Sequence, residues 1–141
     1  MRSKKNWNIF WKLIYLFVLL PLLSSCGKEE MLLGSWNLQT VLMNNEPLND
    51  SLQFNVIPKY TYYTFSFANV LTVQTFALNG NITAPDGFYR LKDKSTLYMR
   101  FTLLHKHYDI DAKIKKLNRR ELYLEYEYNS NTYFLKLYSR K

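Results

Sequence analysis

The C-terminal half of the chain alternates apolar and polar residues with a period of two. Between Thr96 and Leu103, and again from Tyr108 to Lys115, every second side chain is apolar or aromatic. The pattern returns in 121–128 and 132–138, after the polar segments 117–120 and 129–131. Alternation of this kind is typical of strands with one buried face. It predicts four successive strands joined by short turns, which form an antiparallel meander.

The N-terminal half has the same character with less regular spacing. Strand formers predict strands over 35–43, 60–67, 71–78 and 88–91, whereas 51–57 fits a short strand or a short helix. Turn residues separate the strands at three segments, namely 44–50, 79–81 and 84–87. Eight or nine strands in one open sheet would leave long apolar edges. We therefore predict an all-β domain, closed as a barrel or folded as a sandwich.

The first 25 residues have a different pattern, which is that of a secretory signal. Cations precede a continuous apolar run over 13–20, and small residues follow it. A membrane-spanning helix needs about 20 apolar residues, and here Lys12 and Pro21 interrupt a shorter stretch. Residues 1–25 are therefore predicted to be a helical signal peptide.

The signal ends at the only cysteine of the chain. The sequence Leu23-Ser24-Ser25-Cys26 resembles the bacterial lipobox, whose cysteine receives a thioether-linked diacylglycerol and becomes the first mature residue. A lone cysteine cannot form a disulfide within its own chain, and lipid attachment gives Cys26 another use. The two or three acyl chains of such a lipoprotein hold it stably in a membrane. The resemblance implies a lipid anchor on Cys26 and a lipidated tether over 26–33.

The residues after the cysteine indicate a destination. Gly27-Lys28-Glu29-Glu30 has no aspartate at the second mature position, and in this it is similar to outer-membrane lipoproteins. The same short charged segment also resembles the surface-export signal of Bacteroidota lipoproteins. We expect a protein anchored in the outer membrane, either on the cell surface or on the periplasmic face.

Removing the leader changes the charge of the chain. The precursor has 19 Lys and Arg against 11 Asp and Glu, a net charge of +8. Four of these cations and none of the acids precede Cys26, so the mature chain carries +4. That value is ordinary for a small domain, and nucleic acid is not an expected partner of an exported protein. The cation cluster over 113–120 fits a solvated hairpin or a contact with anionic head groups.

The motif Gly34-Ser35-Trp36 opens the first predicted strand. A Gly-x-Trp in this place resembles the motif that opens lipocalins and related calycin barrels. The order of the later strands, up to the closing segment 135–140, is similar to that of small lipocalin-like lipoproteins of Bacteroidota. The resemblance implies a small antiparallel meander barrel of about eight strands over 34–141.

The resemblance also implies two features inside the barrel. In lipocalins an arginine near the end of the last strand packs across the Gly-x-Trp indole, and here the matching residues are Arg140 and Trp36. A lipocalin-like barrel can hold one small apolar ligand, and inward aromatic or sulfur-containing side chains would line its cavity. The predicted lining residues are Tyr63, Phe65, Phe67, Met99 and Phe101.

Catalytic chemistry finds little support in the sequence. The chain has no second cysteine, no Gly-rich phosphate loop and no Gly-x-Ser-x-Gly motif. His105, His107, Asp109 and Asp111 would share one strand face and could ligate a divalent metal. Their opposite face carries Tyr108 and other apolar residues, so we assign the row to the solvated outer wall. No enzyme activity, metal or cofactor is expected.

Two functions of different classes are compatible with these features. The first is a lipid-anchored binding module, which holds a small hydrophobic or amphipathic ligand inside the barrel. The second is a structural or interaction protein, whose barrel is filled and whose outer face docks to another envelope component. A sizeable apolar space in the interior favours the first function, and a solid core favours the second.

Overall fold

The computed structural model describes residues 27–48, 61–77 and 80–140. This part of the chain contains helix α1 (Gly27–Leu32), a 3₁₀ turn (Phe67–Asn69) and nine strands. The strands are β1 (Gly34–Met43), β2 (Glu46–Pro47), β3 (Thr61–Ser66), β4 (Val70–Ala77), β5 (Gly80–Leu91), β6 (Thr96–Leu103), β7 (Lys106–Leu117), β8 (Glu121–Tyr128) and β9 (Asn131–Ser139). The predicted signal peptide, Cys26 and the ambiguous segment 51–57 lie outside the described residues.

Eight of the strands form one closed antiparallel barrel. Hydrogen bonds join β1 to β3, β3 to β4 and each later strand to the next, and β9 pairs with β1 to close the sheet. Strand β2 adds only a two-residue hairpin to the end of β1. The prediction of an all-β meander barrel of about eight strands is therefore confirmed.

Tight turns with left-handed backbone conformations set the register of three hairpins. Asn44–Asn45, Leu104–His105 and Asn129–Ser130 all have positive φ values, between 49° and 68°. Two successive residues of this kind match the right-handed twist of the flanking strands. Asn adopts this conformation readily, whereas Leu104 does so at a cost. His105 therefore lies in the turn and not on the strand where the predicted His/Asp row would place it.

The observed strand β5 differs from the elements that the sequence predicts for residues 79–91. The sequence Ala84-Pro85-Asp86-Gly87 predicts a turn followed by a short strand, but Gly80–Leu91 is one continuous strand. Leu71 pairs with Gly87 and Val73 pairs with Ala84, so two residues of β5 lie opposite one residue of β4. This is a β-bulge, a place where a strand tolerates a proline without N–H. The turn-forming residues bend the strand and do not end it.

The two ends of the barrel differ in their interior. The end at which β1 begins, here called the N-terminal end, also carries the turns 67–69, 92–95 and 118–120. The interior near this end is filled by large buried side chains, among them Trp36, Phe65, Leu97, Leu122 and Leu137. The indole N–H of Trp36 donates a 2.8 Å hydrogen bond to the Leu32 carbonyl. Leu32 is fully buried, so the folded unit begins before the predicted start at residue 34.

The opposite end, here called the distal end, carries the three tight turns 44–45, 104–105 and 129–130. The meander alternates direction at every strand, which brings these turns together and away from Gly34. The interior near the distal end contains several tyrosine rings beside buried aliphatic side chains such as Val41 and Leu103. The distal half of the barrel is therefore the part in which buried polar groups are available for binding.

Candidate functional site

Four of the five predicted cavity residues lie inside the barrel. Tyr63, Phe65, Met99 and Phe101 are all buried on the inward face of their strands. Phe67 is 82% exposed, and its prediction as a lining residue is wrong. The reason is that β3 ends at Ser66, so the alternation that would turn Phe67 inward stops before it.

Arg140 contacts an aromatic ring that differs from the predicted one. Its guanidinium carbon lies 5.0 Å from the ring centre of Tyr62, whereas Trp36 points into the core. Trp36 lies directly opposite Ser139 in the β1–β9 pair, and residues directly opposite share a face. Arg140 follows Ser139 and therefore points outward, toward the face that carries Tyr62.

A cluster of five tyrosines occupies the distal half of the barrel and is here called the tyrosine cluster. The ring centres of Tyr108 and Tyr128 are 5.5 Å apart, and those of Tyr126 and Tyr133 are also 5.5 Å apart. Phe101 lies between the rings of Tyr63 and Tyr108, at 6.0 and 4.8 Å. The members are Tyr63, Tyr108, Tyr126, Tyr128 and Tyr133.

The phenols of the tyrosine cluster are close enough to influence one another's ionisation. Burial raises the pKa of Tyr108 to about 12, and the Tyr128 and Tyr133 phenols add to that shift. Burial also raises the pKa of Tyr63 and Tyr126 well above the ordinary value, with smaller contributions from neighbouring phenols. The hydroxyls of Tyr63, Tyr108 and Tyr126 are therefore protonated at neutral pH, and each can donate a hydrogen bond.

Two of these hydroxyls form no hydrogen bond with a described residue. No residue in the described ranges hydrogen-bonds to the Tyr63 or the Tyr126 hydroxyl, although the two residues are only 3% and 5% exposed. The buried Tyr89 differs, because its hydroxyl donates a 2.8 Å hydrogen bond to the Ser66 carbonyl. Within the described ranges, Asn37 Oδ1 is the only fully buried side-chain N or O atom without a partner, so the two phenol oxygens are not completely closed off from their surroundings. The distal interior is thus suited to a molecule that brings a hydrogen-bonding group.

The barrel wall opens beside Tyr126. Strands β7 and β8 are paired only from Lys113–Glu125 to Leu117–Leu122, while β7 remains paired with β6 down to Lys106. The two strands part toward the distal end and leave a groove of about 420 Å³, here called the seam groove. Its lining residues are Asp111, Lys113, Glu125, Tyr126, Glu127 and Thr132. Tyr126 is the one member of the tyrosine cluster that lines this groove, and the other lining residues lie on the outward faces of their strands.

Ion pairs neutralise part of the seam groove. Asp111 binds the Lys92 ammonium at 2.6 Å, and Glu125 binds the Lys115 ammonium at 3.3 Å. Lys113 and Glu127 have no ion-pair partner among the described residues, and both are exposed. The rim of the groove therefore presents one cation and one anion beside a buried phenol, which suits the polar group of an amphipathic molecule.

The predicted His/Asp row lies on the outer wall. His107, Asp109 and Asp111 are exposed on β7, and His107 is hydrogen-bonded to Thr102 at 3.0 Å through a ring nitrogen. Within the described ranges, no three His, Cys, Asp or Glu side chains converge as metal ligands would. Nor does any helix in those ranges have the length and apolar character needed to cross a membrane.

Alternation along the chain does not predict the tyrosine cluster as a unit, although the sequence contains a signal for it. The pattern places Tyr108, Tyr126, Tyr128 and Tyr133 on inward faces. In a meander these residues fall at the same end, because they flank the distal turns at 104–105 and 129–130. Placing strand ends together would have predicted the cluster. Comparisons with protein-family models, with curated proteins and with solved structures found no match to this chain.

Proposed function

We propose that this protein is a lipid-anchored envelope protein with a lipocalin-like barrel, which binds a small amphipathic molecule in its distal half. The lipobox-like segment ending at Cys26 supports the anchor, and the closed eight-stranded barrel is compatible with a binding fold. A fold alone does not define a function. Support for binding therefore has to come from the side chains of the distal half.

The observation that carries the proposal is the pair of unpartnered phenols. Tyr63 and Tyr126 are buried residues whose hydroxyl groups no described residue satisfies, and Tyr126 also lines the seam groove. Buried polar groups in native proteins nearly always have a partner. A ligand hydroxyl, carbonyl or carboxylate would supply that partner, while its apolar part would pack against Phe101 and the tyrosine rings. The groove volume of about 420 Å³ lies within the range of small-molecule sites.

The test is organic extraction of the protein purified from its native envelope, followed by mass spectrometry of the extract. The wild-type protein is expected to release one class of amphipathic molecule in near-stoichiometric amount. The double variant Tyr63→Phe/Tyr126→Phe keeps the rings and loses both hydroxyls, so its yield of that molecule is expected to fall. Tyr98→Phe, on the outer wall, is the matched control and should retain the wild-type amount.

An extract with no molecule above background would contradict the binding function. A second candidate would then take its place, namely a filled barrel that docks to another envelope component. The interior of large buried apolar side chains near the N-terminal end favours this candidate, as does the exposed side chain of Phe67.

A further inference from the structure

Among the described turns of the barrel, the charged ones lie at one end. The turns of the N-terminal end and the residue that follows β9 carry five cations and one acid, Asp93. The three tight turns of the distal end, 44–45, 104–105 and 129–130, contain no Lys, Arg, Asp or Glu. The five cations are Lys92, Lys94, Arg119, Arg120 and Arg140. Lys92 is paired with Asp111, and the other cations leave an excess of positive charge on the described turns of the N-terminal end.

An apolar tip projects at the same end. Phe67 is 82% exposed and Val70 is 41% exposed, and they are the exposed large hydrophobic residues of the described chain. Both belong to the β3–β4 hairpin, whose turn is fixed by positive φ values at Ala68 and Asn69. Phe88 lies opposite Val70 on β5 and extends the apolar surface along the wall.

The single acid among these turns is engaged within its own turn. The carboxylate of Asp93 accepts hydrogen bonds from the backbone N–H and the hydroxyl of Ser95, at 2.7 and 2.9 Å. Arg119 and Arg120 are exposed, and their guanidinium groups have no ion-pair partner among the described residues. The two guanidinium groups are thus available to a ligand, whereas the carboxylate of Asp93 is hydrogen-bonded within its own turn.

We propose that the N-terminal end is a membrane-contact surface, which lays its basic turns on anionic phospholipid head groups and inserts Phe67 into the interface. This inference rests on the proposed anchor at Cys26. Strand β1 begins eight residues after Cys26, and eight extended residues span at most about 28 Å. The anchor would therefore keep this end of the barrel, and not the distal end, next to the bilayer.

The chemistry of the surface favours lipid over a protein partner. Positive charge surrounds one small apolar tip, and each cation near an anionic membrane strengthens binding roughly fivefold. Aromatic side chains settle at the level of the head groups. This orientation would turn the tyrosine cluster and the seam groove away from the membrane that holds the anchor.

The experiment measures the membrane depth of two spin labels on the full-length lipidated protein, reconstituted in vesicles of phosphatidylglycerol and phosphatidylcholine. Acylation consumes the thiol of Cys26, so Phe67→Cys and Ser130→Cys each supply a single labelling site. The nitroxide at position 67 is expected to collide with oxygen several times more often than the nitroxide at 130. Replacing phosphatidylglycerol by phosphatidylcholine should reduce that difference.

A charge-reversal pair tests the electrostatic part. Arg119→Glu/Arg120→Glu is expected to lift the label at 67 toward water. The matched control Arg100→Glu/Lys136→Glu makes the same change of net charge on the barrel wall, outside the seam groove, and should leave the depth of the label unchanged.

Three results would overturn the membrane-contact surface. They are equal water exposure of both labels, equal immersion of both, or a label at 67 that is immobilised only in native envelopes, which would indicate a protein partner. Intact mass of the same preparation tests the anchor separately. If the mass shows no lipid, the anchor is wrong, and the labelled variants carrying Cys26→Ala, added to preformed vesicles, still decide the depth at 67.

Discussion

The hydroxyl groups of two buried tyrosines decide the functional question at the scale of single residues. Replacing Tyr63 or Tyr126 by Phe removes a polar atom that the empty protein leaves unpaired. The free energy of unfolding of the ligand-free protein is therefore expected to stay constant or to rise by up to about 1 kcal/mol. Urea unfolding, followed by tryptophan fluorescence after organic extraction, measures this change.

Tyr89→Phe is the matched control for that measurement. Its hydroxyl donates to the Ser66 carbonyl, so its loss leaves a buried acceptor unpaired and should lower the free energy of unfolding by about 1 kcal/mol. If Tyr63→Phe and Tyr126→Phe cost as much as Tyr89→Phe, the two hydroxyls have partners in the protein. The case for a ligand would then fail.

The raised phenol pKa values predict a loss of stability in alkaline solution. The unfolded chain releases these protons near pH 10, whereas burial raises the pKa of Tyr108 to about 12 and that of Tyr126 well above its usual value. The folded state binds more protons in this window, so the free energy of unfolding falls as the pH rises from about 10 to 12. Urea unfolding at several pH values and the phenolate absorbance band report the two effects. Titration of all tyrosines near pH 10, without unfolding, would contradict the buried cluster.

At the scale of elements, the bulge in β5 depends on a close approach of two strands. A Cβ atom on Gly87 would lie 2.3 Å from the Leu71 carbonyl oxygen, which belongs to the backbone of the paired strand and cannot move aside alone. Gly87→Ala is expected to cost about 1–3 kcal/mol of the free energy of unfolding.

Gly27→Ala provides the comparison, because a Cβ there meets nothing within 4 Å. Its effect should stay within about 0.5 kcal/mol. Thermal or urea unfolding of both variants measures the difference. Equal stability of the two would mean that the strands can separate at the bulge without cost.

The strands differ in how far the sequence predicts them. In 96–128 the inward side chains are apolar and most of the outward ones are polar, so alternation alone predicts three strands and their turns. In β5 the residues of 84–87 have the chemistry of a turn, and only pairing with β4 keeps them in the strand. The predictions for Phe67 and Arg140 are wrong for the same reason. The position of each side chain depends on where the neighbouring strand ends and on the face to which the next residue points.

The sequence does not predict the seam groove, and the reason is a different one. Alternation specifies which face of β7 or β8 is buried, but it does not state how far two strands remain paired. Residues 126–128 continue the pattern of β8 without hydrogen bonds to β7.

At the scale of the molecule, the proposed anchor predicts a change of location. Cys26→Ala removes the acceptor of the acyl chains, and each buried CH₂ of those chains contributes about 0.8 kcal/mol to membrane binding. The variant is expected to leave the outer-membrane fraction, whereas Gly27→Ala should remain there. Fractionation of the host envelope with immunodetection measures both. Retention of Cys26→Ala in the outer membrane would contradict the anchor.

We assign separate tasks to the two halves of the barrel. The half with the interior of large apolar side chains, which includes Trp36 and Leu32, supplies stability at the end nearest the proposed anchor. The tyrosine half supplies hydrogen-bonding groups at the other end, beside the open seam. Such a division would keep the binding site away from the membrane contact.

A crystal structure of the protein as purified from its native envelope would show the occupant of the distal half. We expect electron density for a bound amphipathic molecule there, with a polar atom at hydrogen-bond distance from the Tyr63 and Tyr126 hydroxyls. A distal half filled by protein side chains alone, with both hydroxyls bonded to protein atoms, would contradict the binding function.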